Sequence, residues 1–244
     1  LGNAEQIHPT LRVKTNTSTT VMTPLQPIVM KFGGTSVEDA GAFQRVANIV
    51  AERLEQRPVI VVSAMSGLTD ALLAAVELAA GKQSVAAAAL LQPHFARHAA
   101  VSQELLTPAE ATQFKLALQR HEAEVFQLLD SLSSDPSERR VSQDAVLATG
   151  EQLSSALLAA ALRSLGVAGI TIDARRCIVT NDEFGIAAPL PTETTRQTRA
   201  EIFPALNASQ VPVLGGFMGA TAAGGTDGFR PRLRYLLLGH TNSP

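Results

Sequence analysis

The residues that could do chemistry in this 244-residue chain begin with a short segment, Lys31-Phe32-Gly33-Gly34-Thr35-Ser36. A strand-end lysine supplies a point charge suited to phosphate, and glycines let a ligand approach the backbone closely. Hydroxyl residues then lead into a helix, whose N-terminal N–H groups attract anions. Neither G-x-x-x-x-G-K-[ST] nor G-x-G-x-x-G occurs in the sequence. The pattern alone supports a phosphate site and a plain strand-to-helix turn equally.

Two later segments repeat this arrangement at the ends of apolar runs. Residues 59–62 (V-I-V-V) run into Ser63, with Thr69 shortly after, and residues 211–214 run into Gly215-Gly216. Ligands of open α/β sheets bind at the carboxyl ends of strands, so three such loops favour a site there. The alternative is that Ser63 and Thr69 simply cap the following helix.

An acid and a few isolated residues give weaker signals. Glu151 falls in the first turn of a helix predicted from about Gly150 to Ser164, where acids commonly compensate the helix dipole. His94 and His98 have a spacing that can bind a metal, but no third ligand is near, so a surface pair is the better interpretation. Cys177, beside an apolar run, is interpreted as a small core residue.

The elements that would position these residues alternate between strands and helices. Strands are predicted at Pro27–Lys31, Val59–Val62, Gly169–Ile172, Cys177–Thr180 and Val211–Leu214. Helices are predicted over 42–54, from Gly67 to about Ala80, across 84–134 with a break near Pro93 and a restart at Thr107-Pro108, over 150–164, and at Thr192–Leu206. Thr35 or Ser36 is predicted to cap the first helix, with Glu38-Asp39 in its first turn. The alternation predicts an α/β fold with a mostly parallel sheet covered on both faces.

Composition excludes several classes of protein. Apolar residues make up 45% of the chain and charged residues 17%, which predicts a buried core rather than disorder. The net charge of −2 comes without a basic stripe, so no nucleic-acid partner is expected. The single cysteine, Cys177, excludes an internal disulfide and is typical of a reducing compartment. Charges break the apolar runs short of the ~20 residues that a membrane span needs. We therefore expect a cytoplasmic globular protein.

Six segments, taken together, give the chain a resemblance to a known family. They are K-F-G-G-T-S-V at 31–37, V-V-S-A-M-S-G-L-T-D at 61–70, G-E-Q-L-S at 150–154, D-A-R at 173–175, F-G at 184–185 and G-G-F-M-G-A-T at 215–221. In order and approximate spacing they resemble the motifs of aspartokinases, in the amino-acid kinase superfamily. The resemblance implies a three-layer αβα sandwich and ATP-dependent phosphorylation of the L-aspartate β-carboxylate, with Mg²⁺. That reaction gives 4-phospho-L-aspartate and opens lysine, threonine and methionine synthesis.

The resemblance also implies roles for individual residues. Lys31 would stabilise charge on the transferring phosphoryl group. Thr69 and Glu151 would contact aspartate, and Ser63 and Phe184 would line the substrate side. The residues implied to bind phosphate or ATP are Lys31, Gly33, Gly34, Thr35, Ser36, Gly215 and Gly216. No protein residue is implied as a metal ligand.

The C-terminal part departs from the family pattern. After G-A-T the family continues through a block resembling T-T-L-G-R-G-G-S-D, and residues 222–244 do not reproduce it. We therefore expect a loose or non-native tail at 1–27, the N-terminal part of a kinase domain at 28–221 and an aberrant tail at 222–244. Such a chain is expected to be inactive alone, and a complete protein to be a homo-oligomer. A non-catalytic remnant that pairs with intact subunits, or another amino-acid kinase such as a glutamate kinase, are the alternatives.

Overall fold

A computed structural model describes residues 26–132, 136–181, 187–221 and 236–237. Its strands are β1 (Val29–Phe32), β2 (Val59–Val62), β3 (Gly169–Thr171), β4 (Val179–Thr180), β5 (Val211–Gly215), β6 (Met218–Thr221) and β7 (Leu236–Leu237). Its α-helices are α1 (Ala40–Ala51), α2 (Leu68–Ala80), α3 (Ser84–Leu105), α4 (Pro108–Asp130), α5 (Pro136–Ser164) and α6 (Pro191–Asn207). The predicted α/β class is confirmed.

The main sheet is parallel throughout. Its four strands lie in the order β1-β2-β5-β3, and each hydrogen-bonded pair runs in the same direction. A second, three-stranded sheet has the order β4-β6-β7, in which β4 and β6 are parallel and β6 and β7 antiparallel. Parallel strands need long crossover connections, which the helices supply. All carboxyl ends of the main sheet therefore point to one edge.

Apolar side chains cover both faces of the main sheet. On one face Ile60 and Val213 join the large core formed with α1 to α5. On the other face Val59 and Leu214 pack with Ile202 of α6. Side chains of a strand alternate between faces, so a strand buried on both sides must be apolar throughout. The continuous V-I-V-V run of β2 meets that requirement.

The strand predictions need two corrections. β1 was predicted to be buried, but it is the edge strand of the described sheet and Val29 is 70% exposed. An apolar run alone does not distinguish an edge strand from a central one. Residues 218–221 form β6 immediately after the turn at Gly216-Phe217, where no strand was predicted. Small residues such as Gly219 and Ala220 hide a strand from a search for β-branched runs.

The helix predictions need three corrections. α3 continues through Pro93 without a break, because Leu91 and Phe95 on either side are buried and hold the helix against the core. α5 begins at Pro136, well before Gly150. The cap of α1 is Asp39, whose carboxylate accepts a hydrogen bond from the Ala42 N–H at 2.7 Å. Thr35 and Ser36 lie instead in a short 3₁₀ helix.

Part of α5 is long and apolar enough to cross a membrane. That segment is Ser142–Ser164, and 89% of its most apolar stretch is buried inside the protein. A central helix of a folded core passes the same test of length and composition. The helix packs between the sheet and its neighbours, with Leu153 and Leu157 fully buried.

Two isolated residues of the sequence analysis are also placed. Cys177 is a buried free thiol, and burial raises its pKa to about 12, which agrees with a core role. His98 is fully buried, so His94 and His98 are not the surface pair that was expected. The Nδ1 atom of His98 lies 2.8 Å from the His94 carbonyl oxygen, and burial lowers the His98 pKa to about 4.

Candidate functional site

The carboxyl ends of three adjacent strands meet at one edge of the main sheet. The sheet register aligns Phe32 with Val62 and Val62 with Gly215. The Ser63 N–H donates to the Phe32 carbonyl oxygen at 3.0 Å, and the Gly216 N–H donates to the Val62 carbonyl oxygen at 2.8 Å. The loops that follow β1, β2 and β5 therefore start side by side, and we call them the first, second and third loops. We name this edge the carboxyl edge.

The first two loops touch through their backbones. A Cβ atom on Gly34 would lie 2.9 Å from the Ala64 carbonyl oxygen, closer than real side chains come. Gly34 is therefore required for this contact. A Cβ atom on Gly33 would meet nothing within 4 Å. The backbone at Gly33 is open to the surroundings, as a group that receives a phosphate must be.

Lys31 reaches across this edge to the third loop. Its Nζ atom lies 5.0 Å from the centroid of the Phe217 ring, within the range of a cation–π contact. Phe217 has a φ of 54°, a left-handed conformation that is uncommon for a bulky residue. Arg57, Lys82 and Ser209 share this conformation away from the carboxyl edge, so it does not by itself mark a site. The Lys31 side chain itself is exposed.

Glu151 brings a buried carboxyl group to the same loops. The residue is 4% exposed and its Oε2 atom has no hydrogen-bond partner among the described residues. Burial raises its pKa from 4.5 to about 7, and hydrogen bonds from its own N–H and that of Ala64 offset only part of the effect. The carboxyl group is therefore partly protonated near neutral pH. A cationic ligand group beside it would favour its charged form.

The position of Glu151 corrects an expectation from the sequence. It lies in the middle of α5 because that helix begins at Pro136, so compensation of an N-terminal helix dipole does not explain the acid. Packing fixes it instead. A Cβ atom on Gly150 would lie 2.7 Å from the Ala64 Cβ, so this glycine lets α5 approach the second loop.

The third loop closes on Glu151 from the other side. A Cβ atom on Gly215 would lie 2.8 Å from the Glu151 Cβ and 3.2 Å from its backbone carbon. Gly216 has more room, since a Cβ atom there would lie 3.5 Å from its nearest neighbour, a methyl carbon of Val61. Only the first glycine of this pair is therefore sterically required beside the carboxyl group.

Ser63 and Thr69 lie in and just after the second loop, and both are half-buried. Neither caps a helix. α2 begins after Gly67, which has a φ of 80°, and no side chain in the described structure caps it. The capping explanation for these two residues is therefore wrong. Their contact with a substrate stays a prediction.

Of the remaining predicted residues, the structure describes some and not others. Thr35 and Ser36 lie in the first loop, where the Ser36 N–H donates to the Gly33 carbonyl oxygen at 2.9 Å. Phe184 lies outside the described residues, as does most of the tail predicted at 222–244. The structure thus brings together Lys31, the glycines of the first and third loops, Ser63 and Glu151.

The carboxyl edge has groups of the kind that bind phosphate in proteins. It combines an exposed lysine ammonium with open backbone at Gly33. In the described parts of the chain, no group of three or more His, Cys, Asp or Glu side chains could hold a metal ion. Mg²⁺ in phosphoryl-transfer sites is held largely by substrate phosphates and water, so this donor set is compatible with a nucleotide-borne ion.

Sequence reasoning did not identify two features of this site. The Phe217 ring beside Lys31 is one, and the only signal for it was its place after two glycines at a strand end. The backbone contact between Gly34 and Ala64 is the other. Both depend on the distance between loops that are far apart in the chain, which no local pattern reports.

Comparisons with known proteins agree with this arrangement. The profile of the amino acid kinase family matches residues 26–236. The aspartokinase of Chlamydia trachomatis is 32% identical over 200 residues, which cover 82% of this chain and 42% of that protein. The lysine-sensitive aspartokinase 3 of Escherichia coli is 30% identical over 200 residues, with the same coverage of 82% and 42%.

A solved structure matches the fold. The structure of E. coli aspartokinase III in complex with aspartate and ADP superposes with a TM-score of 0.72 at 25% identity. The match covers 87% of this chain and 43% of that one. The chain therefore spans less than half the length of the relatives it matches.

Proposed function

Because this chain belongs to the amino acid kinase family, we propose that it carries the phosphoryl-acceptor half of an aspartokinase site. The proposed reaction is transfer of the γ-phosphoryl group of ATP to the β-carboxylate of L-aspartate, giving 4-phospho-L-aspartate. The product would enter lysine, threonine and methionine synthesis. Curated relatives named aspartokinase and a similar structure that holds aspartate and ADP support this proposal.

One observation carries the proposal most strongly. Glu151 is a buried carboxyl group with an unpartnered oxygen among the described residues, at the same sheet edge as the exposed ammonium of Lys31. A buried acid with a perturbed pKa in such a place indicates a functional group rather than a structural one. The acid suits the α-ammonium of aspartate, and the lysine suits the negative charge of the phosphoryl group that aspartate receives.

Lys31 acts in this proposal on the transferring group. In phosphoryl transfer the protein mainly positions the reacting groups and neutralises charge on the phosphoryl oxygens. The exposed ammonium beside Phe217 supplies a positive charge at the strand end. Backbone N–H groups after Gly33 hold the phosphates, with Thr35 and Ser36 in the same turn. Gly215 and Gly216, at the end of β5, line the side of the phosphate-binding region opposite the first loop.

Glu151 acts on the acceptor. Its carboxylate pairs with the substrate α-ammonium, which restores the charged form that burial disfavours. Ser63 of the second loop and Thr69 of the first turn of α2 hydrogen-bond the substrate. The resemblance to aspartokinases assigns Phe184 to the substrate side as well. Binding then orients the β-carboxylate toward the phosphates held at the first loop.

ATP is the proposed phosphoryl donor, bound with Mg²⁺. The ion, when bound, neutralises charge on the phosphates during transfer. The residues of this chain that would hold the nucleotide are Lys31, Gly33 and Gly34. We propose a cytoplasmic location and a homo-oligomeric assembly for the complete protein, as the composition and the resemblance to aspartokinases indicate.

Isothermal titration of the 244-residue chain with L-aspartate tests the acceptor site. The Glu151→Gln variant should lose at least ~10-fold in aspartate affinity, because a buried charge pair contributes ~2 kcal/mol or more. Glu104→Gln is the matched control, since Glu104 is exposed on α3. It should bind aspartate like the wild type.

The preference between two amino acids and the formation of product test the proposal further. L-glutamate should bind far more weakly than L-aspartate, and a preference for glutamate would indicate another amino-acid kinase. A hydroxamate assay on the complete gene product, with ATP and Mg²⁺, detects the acyl phosphate directly. Equal aspartate binding by wild type and Glu151→Gln would remove the main support for the proposal.

A further inference from the structure

An arginine of helix α3 contacts the second loop of the site. Arg97 of α3 donates from Nη2 to the Ser66 carbonyl oxygen at 2.6 Å. The two residues are 31 positions apart, so the contact is purely tertiary. α3 also packs on α1, α2, α4 and α5, and it supplies none of the residues proposed to contact substrate or nucleotide. Arg97 therefore links α3 to the carboxyl edge by a hydrogen bond, beside His94, whose Cε1 atom lies 3.9 Å from the place that a Cβ on Gly67 would take.

The second loop, residues 63–67, is held by contacts on three sides. The backbone of Gly34 approaches the Ala64 carbonyl oxygen, and Glu151 of α5 accepts a hydrogen bond from the Ala64 N–H. Arg97 holds the other end of the loop, at Ser66. The Ser66 carbonyl lies between Ser63 and Thr69 in the chain. We therefore expect a shift of this carbonyl to displace the loop that joins the two proposed substrate-binding residues.

Packing alone does not account for an arginine at this position. Its Nε atom is buried and has no hydrogen-bond partner within the described parts of the chain. Burying a guanidinium donor without a partner costs free energy, and an apolar side chain would avoid the cost. Burial, and to a smaller extent the Arg97 charge, lower the pKa of His94 and of His98.

We propose that Arg97 is a positioning residue of the phosphoryl-acceptor site, holding the 63–67 loop through the Ser66 carbonyl so that Ser63 and Thr69 face the substrate. The inference rests on the proposed function for the identity of the substrate. The role of Arg97 is to fix the loop, and it touches neither substrate nor nucleotide. Through Arg97, helix α3 takes an indirect part in substrate binding.

The test compares Arg97→Met with Arg97→Lys in the 244-residue chain. Methionine keeps the length and apolar stem of the side chain, while lysine keeps the charge and one donor. Arg120→Met is the matched control, because Arg120 is exposed on the neighbouring α4. Amide hydrogen exchange is followed at Leu68, whose N–H donates to the Met65 carbonyl oxygen at 3.0 Å inside the loop turn. Amides of β2 report on global stability.

Loss of a charge-assisted hydrogen bond should speed Leu68 exchange in Arg97→Met by about tenfold, with β2 exchange unchanged. Aspartate affinity should fall by a similar factor while ADP affinity stays within about twofold. Arg97→Lys should recover most of both losses, and Arg120→Met should match the wild type. Equal acceleration in β2 would instead indicate a general structural role and overturn the proposal.

The two proposals fail in different ways. If the wild type binds no aspartate but Arg97→Met still loosens the loop, the substrate assignment fails and the loop-holding role stands. If the wild type binds aspartate and Arg97→Met binds it equally, the positioning role fails and the proposed function stands. Unchanged Leu68 exchange in Arg97→Met overturns the inference whatever the ligand result.

Discussion

The two edges of the main sheet differ in what they offer a ligand. At the amino ends of the strands lies a cleft of about 550 Å³. It is lined by Leu54, Glu55, Arg57, Pro58, Gly166, Val167, Ala168, Leu206, Ser209, Gln210 and Val211. Arg57, its main cation, already donates to the Asn207 side chain at 3.0 Å. The carboxyl edge has instead the exposed Lys31 ammonium and a Glu151 oxygen that no described residue partners.

The difference shows that the space available is a poor guide to chemistry. A ligand needs polar groups held ready without partners, and those groups cost stability unless something binds them. At the amino edge the guanidinium of Arg57 already has a partner, which reduces what it could gain from a ligand. The carboxyl edge keeps a buried acid with a pKa of about 7. Variants at the two edges should therefore differ both in which property they change and in how large the change is.

The largest effect is expected at Lys31. In the complete gene product, Lys31→Ala should lower kcat by roughly 10²–10³-fold, with a smaller change in the KM for aspartate, because the charge is needed most in the transition state. Lys115→Ala, on the exposed surface of α4, is the control and should leave both constants unchanged. A raised KM with kcat unchanged would contradict this role.

The next effect is a pH-dependent stability at Glu151. Its pKa is raised from 4.5 to about 7, so between these values the folded chain binds more protons than the unfolded chain. Stability at this group is therefore lost as the pH rises through that window. Glu151→Gln should be more stable than the wild type at pH 8, by on the order of 3 kcal/mol, and equally stable near pH 4.

Urea denaturation at several pH values measures this difference. Glu104→Gln serves as the control because its side chain is exposed, and its stability relative to the wild type should not vary with pH. A constant difference between Glu151→Gln and the wild type from pH 4 to 8 would show that folding does not shift the pKa of this carboxyl group.

A smaller effect separates the two glycines of the third loop. Gly215→Ala places a methyl group against the end of the Met218 side chain and 2.8 Å from the Glu151 Cβ, and it should cost about 1–3 kcal/mol of stability, as overpacking does. Gly216→Ala meets its nearest neighbour at 3.5 Å and should cost less than about 1 kcal/mol. Thermal unfolding of the two variants compares them directly, and equal losses would mean that the contact with Glu151 relaxes freely.

The smallest effect is expected at the amino edge. Asn207→Ala removes the partner of Arg57 on an exposed surface, so the free energy of unfolding should change by no more than about 0.5 kcal/mol. Aspartate and ADP affinities should not change. A measurable loss of ligand affinity would mean that the 550 Å³ cleft communicates with the carboxyl edge.

Much of the fold followed from local patterns. β2 has the bounds that its V-I-V-V run predicts, and α4 restarts at Pro108 as expected. Proline at a first helical position and a short apolar strand are signals contained within a few residues. The failures were at places where distant contacts outweigh local preference. Pro93 stays inside α3 because its neighbours are buried on both sides.

The candidate site divides in the same way. The sequence by itself determined that lysine, glycine and hydroxyl residues follow the ends of apolar strands, because those residues are adjacent in the chain. It could not determine that Glu151 lies deep inside α5, against Ala64 and Gly215, with its carboxyl group removed from water. Burial, close approach and the resulting pKa depend on elements that are far apart in sequence, and only the tertiary structure brings them together.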